Sequence, residues 1–236
     1  MFPRPVSIPE RIPTSSVEGE LYLRNSRAGT APGLLSALWI GIKRRWAREQ
    51  RRRKVGRAYD MALEVARLIP PQSRVLDVGC GNGFIAHHLS ALLGTSVTGI
   101  DLMPNAEAPI NYQRFIGTAF PVDSQSFDAV LLCYVLHHAQ DLSAVLSEVR
   151  RSLLPGGLLV VYEDVPRRWW DRIVCAIHNR QWRACSGPCR FQLAEDWCKT
   201  FAVAGFEVSS ARSLSRWRNL AHPVSRQLFA LKLNDG

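Results

Sequence analysis

Three glycines at alternate positions, Gly79, Gly81 and Gly83, follow the apolar run Val75-Leu76-Asp77-Val78, with Cys80 and Asn82 between them. Without Cβ atoms, such a loop lets backbone N–H groups come close to a ligand. About twenty residues on, a second apolar run closes on Ile100-Asp101-Leu102, the interval at which a carboxylate meets a ribose diol. A helix opening after Gly83 would turn free N–H groups towards a carboxylate or phosphate. Together these features specify an adenosine-type cofactor. A tight strand–helix turn with a buried Asp77 explains the glycines but not Asp101. A dinucleotide fingerprint reads Gly-x-Gly-x-x-Gly, whereas this loop reads Gly-x-Gly-x-Gly.

A second group with chemical capacity is Tyr134, near the end of an apolar run over 127–135, with His137 and His138 just after it. A histidine there can act as a general base near neutral pH, or the pair can simply cap the next helix. Glu163 and Asp164, closing a run over 158–164, are rival bases. Of the six cysteines, Cys175, Cys185, Cys189 and Cys198 cluster late in the chain, with nine, three and eight residues between them and no Cys-x-x-Cys. Zinc sites show tighter pairing, so no metal centre is expected.

The elements that must position these residues alternate. Apolar runs over 74–78, 96–102, 112–116, 127–135, 158–164, 207–214 and 225–233 are strand candidates. Helical periodicity appears over 84–93, 142–153, 167–178 and 194–204. Seven strands with interposed helices predict an α/β fold: a doubly wound, seven-stranded Rossmann-like sheet with helices on both faces. The last two runs have no clear helix between them, so the final strand is expected to return antiparallel. Residues 1–33, rich in Pro and Ser, are expected to form a mobile arm, residues 34–58 a basic helical extension, and residues 59–236 the domain proper.

Beyond the glycine loop, the chain carries Thr98-Gly99-Ile100-Asp101, Ser126-Phe127-Asp128-Ala129-Val130, Val135-Leu136-His137-His138 and Leu153-Leu154-Pro155-Gly156-Gly157. Trp197, Phe201, Gly205, Phe206 and Val208 follow in order. In these motifs it resembles class I S-adenosylmethionine-dependent methyltransferases, especially the type 11 group of small-molecule and lipid-modifying enzymes, over residues 59–233. The resemblance implies S-adenosylmethionine as cofactor. Asp77, Gly79, Cys80, Gly81 and Gly83 would surround its methionine part, Asp101 would bind the ribose and Leu102 would pack on the adenine. Thr118 and Ala119 stand where the family usually has Asp-Ala beside the adenine amino group. Cys133, closing the fourth strand, would lie near the reactive methyl. Tyr134, His137 and His138 would face the acceptor, and the inserted segment 166–193, with its tryptophans, would complete that side. The motifs are specific to the superfamily and nearly silent on the acceptor. No Asn/Asp-Pro-Pro-Tyr or Pro-Cys element follows the fourth strand, which argues against amino-directed and C5-directed DNA methylation.

The formal net charge is +10, yet nine basic residues and one acid lie between Lys43 and Arg57, leaving 21 basic and 19 acidic residues elsewhere. The charge therefore concerns a partner of that segment. With Trp39 and Trp46 nearby, residues 34–57 fit the surface of an anionic membrane, where they would bring the enzyme to a lipophilic acceptor. They also fit RNA phosphates, or acids of the domain itself. The leading expectation is in-line methyl transfer to an O-, N- or C-nucleophile of a small or lipid acceptor. The alternatives are an RNA or protein methyltransferase guided by the basic arm, and a non-catalytic binding module. No secretory signal is legible and the apolar run over 34–42 is too short to span a bilayer, so the cytoplasm, with peripheral membrane contact, is the expected compartment.

Overall fold

The computed structural model describes residues 34–116 and 119–234; the expected arm over 1–33 lies outside them. The chain divides into two units between Arg51 and Arg52. Residues 34–51 of the first unit are helical, and they belong to one continuous helix, α1 (Leu34–Ala66). The change from apolar to basic text near Lys43 and the onset of amphipathic pattern at Tyr59 are not breaks. Arg and Lys are good helix formers, and a single glycine such as Gly56 costs a helix only about 1 kcal/mol.

In the second unit the order is β1 (Val75–Val78), α2 (Phe84–Leu93), β2 (Val97–Asp101), β3 (Asn111–Arg114), β4 (Phe127–Cys133), α3 (Leu142–Ser152), β5 (Leu153–Asp164), α4 (Trp169–Ser186), α5 (Ala194–Val203), β6 (Phe206–Leu214) and β7 (Arg226–Leu233). The strands form one sheet in the order β3-β2-β1-β4-β5-β7-β6. β1 pairs parallel with β2 and β4, and β7 pairs antiparallel with both β5 and β6. The doubly wound sheet with an antiparallel final strand is as expected. β5 starts earlier than its apolar run, because Leu153 pairs with Phe127 across an irregularity before Pro155-Gly156-Gly157.

Strand alternation splits the core into two layers. Val130 and Leu132 of β4 join Leu159 and Val161 of β5, Leu146 and Val149 of α3, and Trp197 and Phe201 of α5. Ala129, Leu131 and Cys133 face the other way, onto Val160 and Tyr162, Ala62 and Val65 of α1, and Ala86 and Leu89 of α2. The strand order reverses between β1 and β4, so the loops leaving their carboxyl ends flank a crevice. Ligands bind in that position in open α/β sheets.

Candidate functional site

The loop after β1 holds Gly79, Gly81 and Gly83 at φ of 71°, 54° and 76°. Gly79 is needed for a second reason: a Cβ there would stand 2.5 Å from Val135 Cγ2, so the loop lies against the turn that follows β4. At Gly81 a Cβ would meet nothing within 4 Å, leaving the backbone open to an approaching ligand. The Gly81 N–H donates to Asp101 Oδ2 at 2.7 Å, and the Met103 N–H donates to Oδ1 at 2.9 Å. The loop and the end of β2 thus present one shared surface. Lys54 of α1 donates to Asn82 Oδ1 at 2.9 Å, and the Asn82 amide donates to Glu107.

The expected cofactor residues occupy three kinds of position. Leu102, which follows Asp101 in the chain, and Ala119 are exposed. Cys80 turns away from the open side, with Sγ against Gly99, and burial pushes its thiol up. Cys133 is buried in the core, where burial and then Asp77 and Glu163 push its thiol well up. Thr118 lies outside the described residues. Asp77 is the most informative: it is buried, and its Oδ2 has no hydrogen-bond partner. Burial, followed by the nearby Asp101 charge, raises its carboxyl to about 8.

Beyond β4, Tyr134 takes φ 59°. For a bulky residue this left-handed conformation costs on the order of 1–3 kcal/mol and marks sites where surroundings over-determine the backbone. Its N–H donates to Tyr162 O at 2.8 Å, and the Arg226 guanidinium stands 5.8 Å from its ring centroid. A 3-10 turn, Leu136–His138, then brings His137 into the interior. Glu163 holds this turn at two points, accepting from Leu136 N–H at 2.7 Å and meeting His137 Nδ1 at 2.6 Å. Burial pulls the His137 imidazole down, but the Glu163 carboxylate outweighs it and leaves the group above its ordinary value. Both Glu163 oxygens are engaged, and Asp164 lies between His222 Nε2 at 2.8 Å and Arg226 Nε at 3.2 Å. The two acids therefore support the wall rather than stand open as bases.

Sequence reasoning did not anticipate how segment 166–193 meets this turn. His178 Nε2 of α4 lies 3.3 Å from His138 Nε2, and Cys189 Sγ lies 3.4 Å from His138 Nδ1. Phe191 stacks on His137 with ring centroids 4.6 Å apart, and Trp182 lies 5.7 Å from His138. One ring nitrogen from each of His137, His138 and His178 lies within 4.8 Å of the others. Burial, then neighbouring imidazoles, lowers His138 and His178 to about 4, so both rings are neutral at pH 7. Trp169 and Trp170 instead pack on each other, with Arg168 and Arg216 near the Trp170 ring. Asp171 fixes α4 to the β6–β7 connection through Arg216 Nη2 at 3.0 Å and Ser225 Oγ at 3.0 Å. His178, Trp182 and Phe191 thus go to the histidine turn, and Trp169 and Trp170 to the anchor. A cavity of about 450 Å³ is lined by Met61, Leu63, Glu64, Tyr134, Tyr162 and Arg226, among others.

The Methyltransferase domain family model matches residues 47–211. Among curated proteins, the chain is 36% identical over 108 residues to a sterol 24-C-methyltransferase of Gibberella zeae, covering 40% of this chain and 28% of that protein. It is 34% identical over 141 residues to a demethylmenaquinone methyltransferase of Thermus thermophilus, covering 55% of this chain and 58% of that one. The matched region thus spans less than two thirds of either relative. Among solved structures, the (4+2)-cyclase SpnF superposes with a TM-score of 0.60 at 19% identity, covering 75% of this chain and 81% of that one. That likeness concerns the fold alone, and a fold hosts more than one reaction. By its family match, its sheet order and its glycine loop paired with Asp101, the chain belongs to the methyltransferase domain family, within the class I S-adenosylmethionine-dependent methyltransferases.

Proposed function

We propose that this protein transfers a methyl group from S-adenosylmethionine to a small lipophilic acceptor. The observation that carries the reading is the pairing of the open Gly81 backbone with the Asp101 carboxylate, beside a buried Asp77 oxygen that has no partner. These residues fit an adenosylated amino acid. Asp101 would accept from the ribose hydroxyls, and Leu102, Thr118 and Ala119 would border the adenine. The backbone from Gly79 to Gly83, with Cys80 behind it and Cys133 below, would hold the amino-acid part, and Asp77 would meet its ammonium group. Bound S-adenosylmethionine supplies a methyl group already activated on sulfur, so the chain's own tasks are to align the acceptor in line and keep water out.

Acceptor chemistry is assigned to the turn after β4. Val135 touches the glycine loop, and Tyr134, His137 and His138 stand on either side of it. A hydroxyl acceptor must give up a proton before or during transfer, and the histidine turn is where that proton is handled. A lipophilic acceptor is supported by the partly apolar cavity beside Tyr134 and by the sterol and demethylmenaquinone named in the relatives. We further propose that residues 34–57 rest on an anionic membrane surface, where such acceptors reside. None of the helices among the described residues is long and apolar enough to cross a membrane.

The basic run between Lys43 and Arg57 also suits RNA phosphates, and one experiment separates the readings. The protein is incubated with methyl-labelled S-adenosylmethionine and, separately, with total lipid extract, total RNA and a protein fraction. Label passing into organic solvent from the lipid incubation supports the proposal. Label confined to RNA or protein overturns the choice of acceptor. Cofactor binding without label in any fraction supports the non-catalytic module instead.

A further inference from the structure

We propose that His137, His138 and His178 form a binding site for a divalent late-transition-metal ion, Zn²⁺ foremost, with one coordination position left open. Two elements remote in sequence bring the rings together: the 3-10 turn after β4 and the middle of α4. Ring nitrogens about 2.0–2.1 Å from a tetrahedral Zn²⁺ stand roughly 3.3–3.4 Å from one another. The Nε2 atoms of His138 and His178 are 3.3 Å apart, and all three donor nitrogens lie within 4.8 Å. A hydrogen bond between two imidazoles would explain that pair alone. It would leave His137 Nε2 buried with no partner, in a side chain 1% exposed.

Glu163 supplies what a metal-bound imidazole requires on its far side. It accepts from His137 Nδ1–H, which fixes the tautomer and leaves the buried Nε2 as the nitrogen available to an ion. The same carboxylate accepts the Leu136 N–H, so the turn cannot rotate freely. Imidazole nitrogens suit zinc, cobalt and nickel better than magnesium or calcium, which prefer oxygen.

A site with three protein ligands and an open fourth position is of the catalytic kind. Its role here rests on the methyltransferase reading: an acceptor hydroxyl taking the open position would lose its proton to solvent and be held as the oxyanion. This makes the histidine turn act through the ion. The substrate class narrows to acceptors with an ionisable oxygen, such as phenols and enols.

The test uses the untagged full chain, freed of metal by a chelator and titrated with Zn²⁺, with metal content read by mass spectrometry. The expected result is one equivalent bound per chain, weakened at least about tenfold in His178→Ala and unchanged in His87→Ala, which removes an exposed histidine of α2. Circular dichroism checks that His178→Ala is folded. Should it not fold, wild-type protein with Co²⁺ should show the intense visible absorption of a four-coordinate ion. No stoichiometric uptake, equal uptake by folded His178→Ala, or the weak spectrum of a six-coordinate Co²⁺ overturns the site. Calorimetry with S-adenosylmethionine on the same samples keeps the two proposals apart. Cofactor binding without zinc uptake removes only the metal, and zinc uptake without cofactor binding removes only its role in methyl transfer.

Discussion

Asp77 is an acid kept protonated at neutral pH by its surroundings. Its carboxyl lies near 8, raised first by burial and then by Asp101, against an ordinary value of 3.8. The sign of the consequence follows from linkage. A group raised on folding contributes stability that is fully present below its unfolded value and lost as pH climbs through its folded value. The cofactor-free protein should therefore lose stability between about pH 4 and pH 8 through this residue. An arriving ammonium group favours the carboxylate and lowers its pKa, so cofactor binding at pH 7 should expel up to one proton. Calorimetry in two buffers of different ionisation enthalpy would read that release. Asp77→Asn should abolish it and flatten the thermal-melting profile over the same pH window. The site's local parts, from Asp77 to Gly83 and Asp101, were legible in the sequence because they lie at a strand end or in the short loop that leaves it. The partnerless state of Asp77 was not, since it depends on what the folded neighbours fail to supply.

The elements carry the partner question. On α1, Leu38, Trp39, Ile42 and Trp46 are all more than half exposed, and helical spacing gathers them on one side. Arg44, Arg45 and Arg48, also exposed, lie on the same stretch. Such a surface suits the boundary between headgroups and acyl chains. Basic residues near an anionic surface contribute about 1 kcal/mol each. Replacing these three arginines by glutamine should weaken vesicle binding on the order of a hundredfold. Flotation with vesicles rich in anionic lipid, compared with neutral ones and repeated in high salt, checks this. Binding that ignores lipid charge would contradict it. The continuity of α1 was hidden because its text changes character twice while its helix propensity does not. The helical periodicity stops at His178, but α4 continues to Ser186 and so brings Trp182 beside the histidine turn.

At the scale of the whole molecule, the sheet order explains why the glycine loop and the histidine turn adjoin. β1 and β4 are neighbours on either side of the reversal, so the loop after one meets the turn after the other, as Gly79 against Val135 shows. That architecture was readable from seven apolar runs and the helical periods between them. The contact of His178 with His138, forty residues apart in the chain, was not, because no local pattern encodes which helix covers which strand end. The pairing of the glycine loop with Asp101 comes first, and calorimetry with S-adenosylmethionine examines it most directly. The wild-type chain should bind in the micromolar range, and Asp101→Ala should weaken binding about tenfold or more, equivalent to about 1.4 kcal/mol. No measurable binding by the folded wild-type chain, or equal affinity in Asp101→Ala, would contradict it.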